Sequence, residues 1–372
     1  MTDTRRLRIL QIAHDYRGPF VHVCAQYNVA CAGHDTTTVY IAGAADEAIR
    51  LATGGDDVRF LGFAPKDLSG IKWALLRSVW RVFRERRYDI VIAHRYKSIY
   101  VAGVMSAFFP IPCLLGVLHE HGVLKRPTRS LFFSIWRPRL HAVAVSDSVA
   151  RSALADCSAL GTQRLSTLHH SIDPSAAGSW LDRATARAQL GVEDDDFLFG
   201  SVGRLIPKKR FDLLLRALAG LVGVRLVLIG DGRERSVLQA LAIELGVAER
   251  VQFVGHVDNA NRLLRAFDAF VLPSGAEEAF GIVMIEAMLA EVPVLASDAP
   301  GPSEVLGDTG KQFRDGDPDA LAGVMQELVA FTPEARSQLA AAGLERVVTK
   351  FSPERFHSRF WSLPPVAEVA NG

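Results

Sequence analysis

Cysteine is scarce in this chain: four in 372 residues (Cys24, Cys31, Cys113, Cys157), with no CxxC pair, no regular spacing, and apolar or small neighbours at each. That excludes a disulfide framework and a cysteine zinc site, and reduced thiols in a cytosolic protein are expected. No GxGxxG follows a strand and no GxxxxGK[ST] occurs, so dinucleotide oxidoreductase and P-loop readings lose their main support. Net charge is also missing: 42 Lys+Arg against 41 Asp+Glu leave +1, which argues against a general nucleic-acid binder. Before His14 there are only about six mostly apolar residues, too few for a signal-peptide core. One uncharged run covers the 21 residues 98–118, long enough for a membrane span, but Pro110 and Pro112 fall past its middle. A helix near 97–108, a break, and a buried strand at 112–118 fit it better.

Hydrophobic residues at 49% and charged residues at 22% describe a globular protein and exclude disorder, collagen-like sequence or a coiled coil as the main architecture. The length divides naturally into two domains of about 170–190 residues. Short apolar strands alternate with amphipathic helices: 7–14, DTTTVYIAG, 88–94, 112–118, HAVAVSDSV and 165–169 in the first half. After a Pro-, Gly- and acid-bearing junction at 174–196 the pattern restarts with FLFGSVGRL, VRLVLIGDG, RVQFVGHV, AFVLPS and VPVLAS. The helices between these run over 211–221, 233–245, 259–266 and 281–290, and further helices follow from 318 to 361. The alternation predicts an α/β protein of two doubly wound parallel sheets with a cleft between the strand C-termini. Expected boundaries are an N-terminal domain at 1–173, a linker at 174–196, a C-terminal domain at 197–350, and a final helix at 351–372 that crosses back to the first domain.

The segment PSGAEEAFGIVMIEAM (273–288) leaves a strand and opens a helix near Gly281, where helix amides and the macrodipole favour an anion. Glu278 and Glu286 are eight residues apart, roughly 12 Å in a helix. That is too far for an acid and base on one bond; it suits two acceptors gripping hydroxyls of an elongated ligand, or simply an acid complementing a helix start and a solvated Glu286. In SVGRLIPKKRFD (201–212), Arg204 and Lys209 suit a diphosphate, though an ordinary basic loop reads similarly. His119 in Leu118-His119-Glu120-His121-Gly122 closes a strand of the other domain; the HxH spacing invites zinc, but no third ligand lies at metal-site spacing. Asp194-Asp195-Asp196 reads as a solvated acidic turn rather than a metal-binding DxD.

In this order and spacing the segments resemble the retaining GT-B glycosyltransferases of family GT4. Its EX7E motif is here PSGAEEAFGIVMIEAMLAEVPVLAS, joined by GRLIPKKRFD, IGDG (229–232), VxFxGxV (251–257), the Gly-Pro-x-Glu turn at 301–304, YDIVIAH, LHE and AVSDSV. The resemblance covers nearly the whole chain and implies roles. Arg204 and Lys209 would stabilise the leaving diphosphate, and Glu278 would accept donor-sugar hydroxyls. Backbone amides at Phe280, Gly281 and Ile282 would lie near sugar and phosphate, and Glu286 would hold the ribose. His119 would stand near the donor sugar's reacting side, stabilising positive charge or binding a hydroxyl. Gly18 would sit in the loop approaching the phosphates, and His256 and Val257 belong to the turn expected against the base. This chain departs from the family at Arg17-Gly18-Pro19 (often Gly-Gly), at Arg210 (commonly Gly), at His170-Ser171-Ile172-Asp173 (usually Asn-Gly-Ile-Asp), and in having Glu277 before Glu278.

The expected reaction is hexosyl transfer from a UDP-, GDP- or ADP-sugar with retention, by same-side attack and without a protein nucleophile. Fixed cations do the electrostatic work, so no metal or other cofactor is expected. The balanced charge hides a division: residues 1–173 carry +8, 174–372 carry −7, and 72–139 alone carry +10. Trp73, Leu76, Trp80 and Phe83 form a stripe beside Arg77, Arg81 and Arg84, and Lys125, Arg126 and Arg129 precede LFFSIWRPRL. Basic residues interleaved with aromatics suit an anionic membrane surface, the alternative being core aromatics under solvated arginines. The expected acceptor is a glycan or glycolipid of lipopolysaccharide core or envelope polysaccharide synthesis. The protein is expected in the cytoplasm, peripheral on the inner face of its membrane. A soluble small-molecule acceptor is the nearest rival; a sugar-nucleotide epimerase of similar shape would need acid/base carboxylates at the reacting carbon.

Overall fold

A computed structural model describes residues 5–68, 73–193 and 196–372. Asp194 and Asp195 of the acidic turn, and residues 71 and 72 at the start of the helix that the stripe of Trp73, Leu76, Trp80 and Phe83 leads one to expect over 71–87, lie outside that range. The chain divides into two compact units, residues 1–171 with 353–372, and residues 172–352.

The first unit is built on seven strands: β1 (Arg8–Ala13), β2 (Asp35–Ala42), β3 (Asp57–Phe63), β4 (Ile90–His94), β5 (Cys113–Leu118), β6 (Leu140–Ala144) and β7 (Leu165–Thr167). Their order is β3-β2-β1-β4-β5-β6-β7, and every pairing is parallel. β4, β5 and β6 are buried at every position because helices cover both faces of the sheet, which is why they read as apolar runs broken only by His94 and His141. The uncharged run resolves into helix Arg95–Ser106 and strand β5. Among the described residues no helix is long and apolar enough to cross a membrane.

The chain returns to this unit at helix Pro353–Trp361. Phe356 and Phe360 meet the Tyr27 ring edge-on at 4.9 and 5.8 Å, and His357 Nδ1 and Trp361 Nε1 both donate to the Ala30 carbonyl. Those two bonds satisfy a carbonyl that the end of helix Phe20–Ala30 would leave open.

The second unit holds β8 (Phe197–Val202), β9 (Val224–Ile229), β10 (Val251–Gly255), β11 (Ala269–Leu272), β12 (Val294–Ser297) and β13 (Lys311–Phe313), again all parallel, in the order β10-β9-β8-β11-β12-β13. Both sheets have one point where strand order reverses, between β1 and β4 and between β8 and β11. Ligands of open α/β sheets bind outside the strand ends there.

In the expected linker, residues 183–190 form a helix capped by Asp182. Its Arg187 is fully buried and donates to the carbonyls of Ala266, Glu193 and Asp196, with Asp268 3.3 Å away. A buried guanidinium with this many acceptors fastens the segment to the second unit. Residues 260–266, expected as an α-helix, form a tighter 3-10 turn entered through Asn259 at φ 54°. Further helices include Glu47–Thr53 and Pro364–Asn371.

Candidate functional site

In the second unit the candidate side chains follow the two strands that flank the reversal. After β8 the chain passes Arg204 and a 3-10 turn at Pro207–Lys209; after β11 it passes 273–281 into helix Ile282–Leu289. Lys209 Nζ lies 2.5 Å from Glu278 Oε2, joining residues 69 apart across the reversal. Both side chains are largely buried, at 16% and 13% exposure. Burial alone would raise the Glu278 carboxyl; the Lys209 ammonium and its hydrogen bond outweigh that, with a smaller contribution from Ser274, and hold it below the ordinary value. Glu277 is exposed, so contact as well as spacing singles out Glu278.

Gly281 adopts φ 85° as the residue before helix Ile282–Leu289, and no side chain caps that end. Its first amides therefore remain open to an anion. Phe280 is buried with its ring 5.6 Å from Phe351, and Ile282 is half-buried. On the same helix Glu286 is half-buried; burial lifts its carboxyl to about 7, and a long 3.5 Å hydrogen bond from Asn261 offsets this only in part. Gly301 supports the loop from behind, since a Cβ there would stand 2.0 Å from the Glu278 carbonyl oxygen. Arg204 is exposed, and no ion pair of its guanidinium occurs among the described residues. His256 is exposed and bonds Asp258 at 3.1 Å, while Val257 is half-buried. Arg210 has φ 53°, the left-handed region where glycine is least strained.

In the first unit Gly18 is exposed at φ 62° in the loop after β1. His119 follows β5, and its Nε2 lies 3.3 Å from Nδ1 of His94, the last residue of β4. His94 Nε2 reaches Gln11 Oε1 at 3.1 Å on β1, and His170 stacks over His119 at 5.7 Å. Desolvation holds all three imidazoles neutral, His94 at about 3, His170 at about 4 and His119 well below its ordinary value. His119 is therefore neutral here, a state compatible with both roles expected of it. His121 bonds Ser148 instead, so the two histidines of the HxH do not converge. Gln11, His94 and Gln26 went unread in the sequence; a polar residue within an apolar strand, as at Gln11 and His94, is the signal that could have found two of them.

Residues 182–346 match the family described as glycosyl transferases group 1. The match spans 165 of the 372 residues. It contains Arg204, Lys209, Glu278 and Glu286, while Gly18 and His119 lie outside it. The chain is 36% identical over 182 residues to the lipopolysaccharide core biosynthesis glycosyltransferase LpsE of Rhizobium meliloti, covering 48% of this chain and 53% of that one. It is 36% identical over 276 residues to the D-inositol 3-phosphate glycosyltransferase of Mycolicibacterium gilvum, covering 68% and 61%. It thus spans about half to three-fifths of the length of these curated relatives. The Anabaena Alr3699/HepE structure in complex with UDP superposes with a TM-score of 0.81 at 22% identity, over 95% of this chain and 98% of that one. WaaG, a glycosyltransferase involved in lipopolysaccharide biosynthesis, superposes with 0.70 at 17%, over 95% and 100%. At such identities these likenesses establish the fold, which is GT-B.

Outside the group 1 region, the basic and aromatic stretch is only partly free. Trp73 is 73% exposed, and Arg77, Arg81 and Arg84 are exposed. Trp80 is half-buried against Phe108 and Phe109, and Phe83 is core, packed on Tyr88 and Phe109. Lys125 and Arg126 are exposed, but the Arg129 guanidinium lies 4.6 Å over the Tyr96 ring and donates to Val123. Leu131 and Ile135, one turn apart on helix Pro127–Trp136, are 60% and 56% exposed.

Proposed function

We propose that this chain transfers a hexosyl unit from a nucleoside-diphosphate sugar, with retention of configuration, to a glycan or glycolipid of lipopolysaccharide core or envelope polysaccharide synthesis. The observation that carries the reading is the Lys209–Glu278 pair at the reversal of the second sheet, in the loop that opens helix Ile282–Leu289. On donor binding the ammonium turns to the diphosphate with Arg204 and the open helix amides, and the carboxylate accepts sugar hydroxyls. Glu286 accepts from the ribose. The bond from the anomeric carbon to the diphosphate breaks while the acceptor oxygen bonds that carbon on the same face, and the acceptor proton passes to the departing phosphate. Cations of the protein neutralise the leaving group, so turnover needs no metal.

The likeness to LpsE supports the lipopolysaccharide acceptor, and the exposed Trp73, Leu131 and Ile135 among basic residues support docking on an anionic membrane surface. The Anabaena structures holding UDP and UDP-glucose support UDP as the donor's nucleotide. A second reading, a soluble phosphorylated acceptor, is favoured by the likeness to the D-inositol 3-phosphate glycosyltransferase. Calorimetry against UDP-, GDP- and ADP-sugars, followed by transfer assays with truncated lipopolysaccharide and with inositol phosphate, tests the proposal. Binding of a UDP-hexose and chelator-insensitive transfer to the lipopolysaccharide are expected. No binding of any sugar nucleotide would end the reading.

A further inference from the structure

The first unit contains a chain of side chains whose proton positions follow from backbone contacts. Gln11 Nε2 donates to the Cys24 carbonyl at 3.1 Å and to Asn28 Oδ1. The Asn28 amide is itself oriented by Nδ2 donating to the carbonyls of Thr53 and Gly54 at 3.0 and 3.1 Å. Carbonyl oxygens only accept, so the oxygen of Gln11 must face His94, and His94 Nε2 must carry the proton it shares with that oxygen. A neutral His94 then has its lone pair on Nδ1, and His119 must donate to it from Nε2. The His119 proton is thereby used, and Nδ1 is left as the ring's only lone pair. No hydrogen bond to His119 Nδ1 occurs among the described residues.

A parallel arrangement governs the other neighbour. Gln26 Oε1 accepts from the Ser171 amide at 3.0 Å, so Gln26 Nε2 donates to His170 Nδ1 at 2.9 Å. His170 stacks on His119 with an interplanar angle of 19°, and the Phe20 ring meets His119 edge-on at 5.1 Å. We infer that Gln11 and His94 are positioning residues that fix His119 as an obligate hydrogen-bond acceptor at Nδ1, where it receives a substrate hydroxyl and donates no proton.

The charged and titratable groups facing His119 are His94, His170 and Arg95, and each disfavours the imidazolium, in addition to burial. Charging His94 would require both its nitrogens to donate and would reverse His119; burial prevents this. The site thus presents a lone pair to a hydroxyl throughout the neutral range, which selects a hydroxylated sugar over its deoxy or fluoro analogue.

The inference rests on the transferase reading for the identity of the hydroxyl, but its core can be measured without substrate. In the full chain carrying ring-labelled histidine, nitrogen–proton correlation spectra should show His119 with protonated Nε2 and bare Nδ1, unchanged from pH 8 to pH 5.5. Its signals are those missing in His119→Gln. A proton on Nδ1, or a ring that charges in that range, overturns the inference even if transfer is found; absence of transfer with this spectrum overturns only the functional reading. In turnover, His94→Phe removes the acceptor for His119 and should lower kcat about tenfold or more with a smaller change in donor KM. His94→Asn, whose Oδ1 replaces Nδ1, should recover most of that loss. Equal kcat values in the two variants overturn the relay.

Discussion

Glu286 carries a carboxyl that burial lifts from its ordinary 4.5 to about 7. A folded-state value above the unfolded one stabilises the protein at low pH, and the contribution is lost as pH rises from about 4.5 through 7. Glu286→Gln removes the cost of ionising a buried acid. Its unfolding free energy, read from urea melts, should match the parent near pH 4.5 and exceed it at pH 8, by up to about 3 kcal/mol, while donor affinity measured by calorimetry falls. Donor binding by the parent should tighten from pH 6 to pH 8, because ribose hydroxyls need the ionised acceptor. The Lys209–Glu278 pair is a second matter at this scale. Either Lys209→Met or Glu278→Met should lower transfer by roughly 10²-fold or more. In urea melts the double variant should be no less stable than the worse single one, because each single leaves a largely buried charge unpaired.

At the scale of elements, the loop before helix Ile282–Leu289 is held from behind by helix Pro300–Leu306. Gly301 permits that approach, so Gly301→Ala should displace Glu278, costing about 1–3 kcal/mol in a urea melt and at least tenfold in turnover. The Gly-Pro-x-Glu turn was visible as a family segment; its task as backing for Glu278 required the contact. Strands with nearly continuous apolar runs, such as β4 and β5, were legible because burial on both faces dictates their composition. β3 was not, since it is an edge strand with half-exposed side chains, and β13 has only three residues. The 260–266 segment has helical composition, but the left-handed Asn259 at its entrance sets a tighter turn.

For the molecule as a whole, charge and burial act differently in the two units. His94, His141 and His170 of the first unit have values lowered to about 3, 4 and 4, so the unfolded chain takes up protons that the folded one refuses. This contribution is present above the ordinary value of 6.5 and is lost as pH falls toward 4. Hydrogen exchange should show amides of β4–β6 losing protection between pH 6 and pH 4, once corrected for the intrinsic rate. Membrane docking belongs to this scale as well. Pelleting with vesicles of anionic lipid should be salt-sensitive and should weaken in Trp73→Ser and in Leu131→Ser/Ile135→Ser, whereas no binding at low salt would remove the membrane from the proposal.

The sequence by itself determined the two doubly wound sheets and marked the candidate residues Lys209, Glu278 and Glu286, because hydrophobic periodicity and glycine-marked helix starts are local properties of the chain; where the strand order reverses came from the tertiary structure. The tertiary structure alone decided that Lys209 meets Glu278 rather than Glu277, that Phe83 and Arg129 serve packing, and that His119 is neutral. Those outcomes depend on what residues 25 to 144 positions apart do to one another once water is excluded, and local pattern does not carry that information.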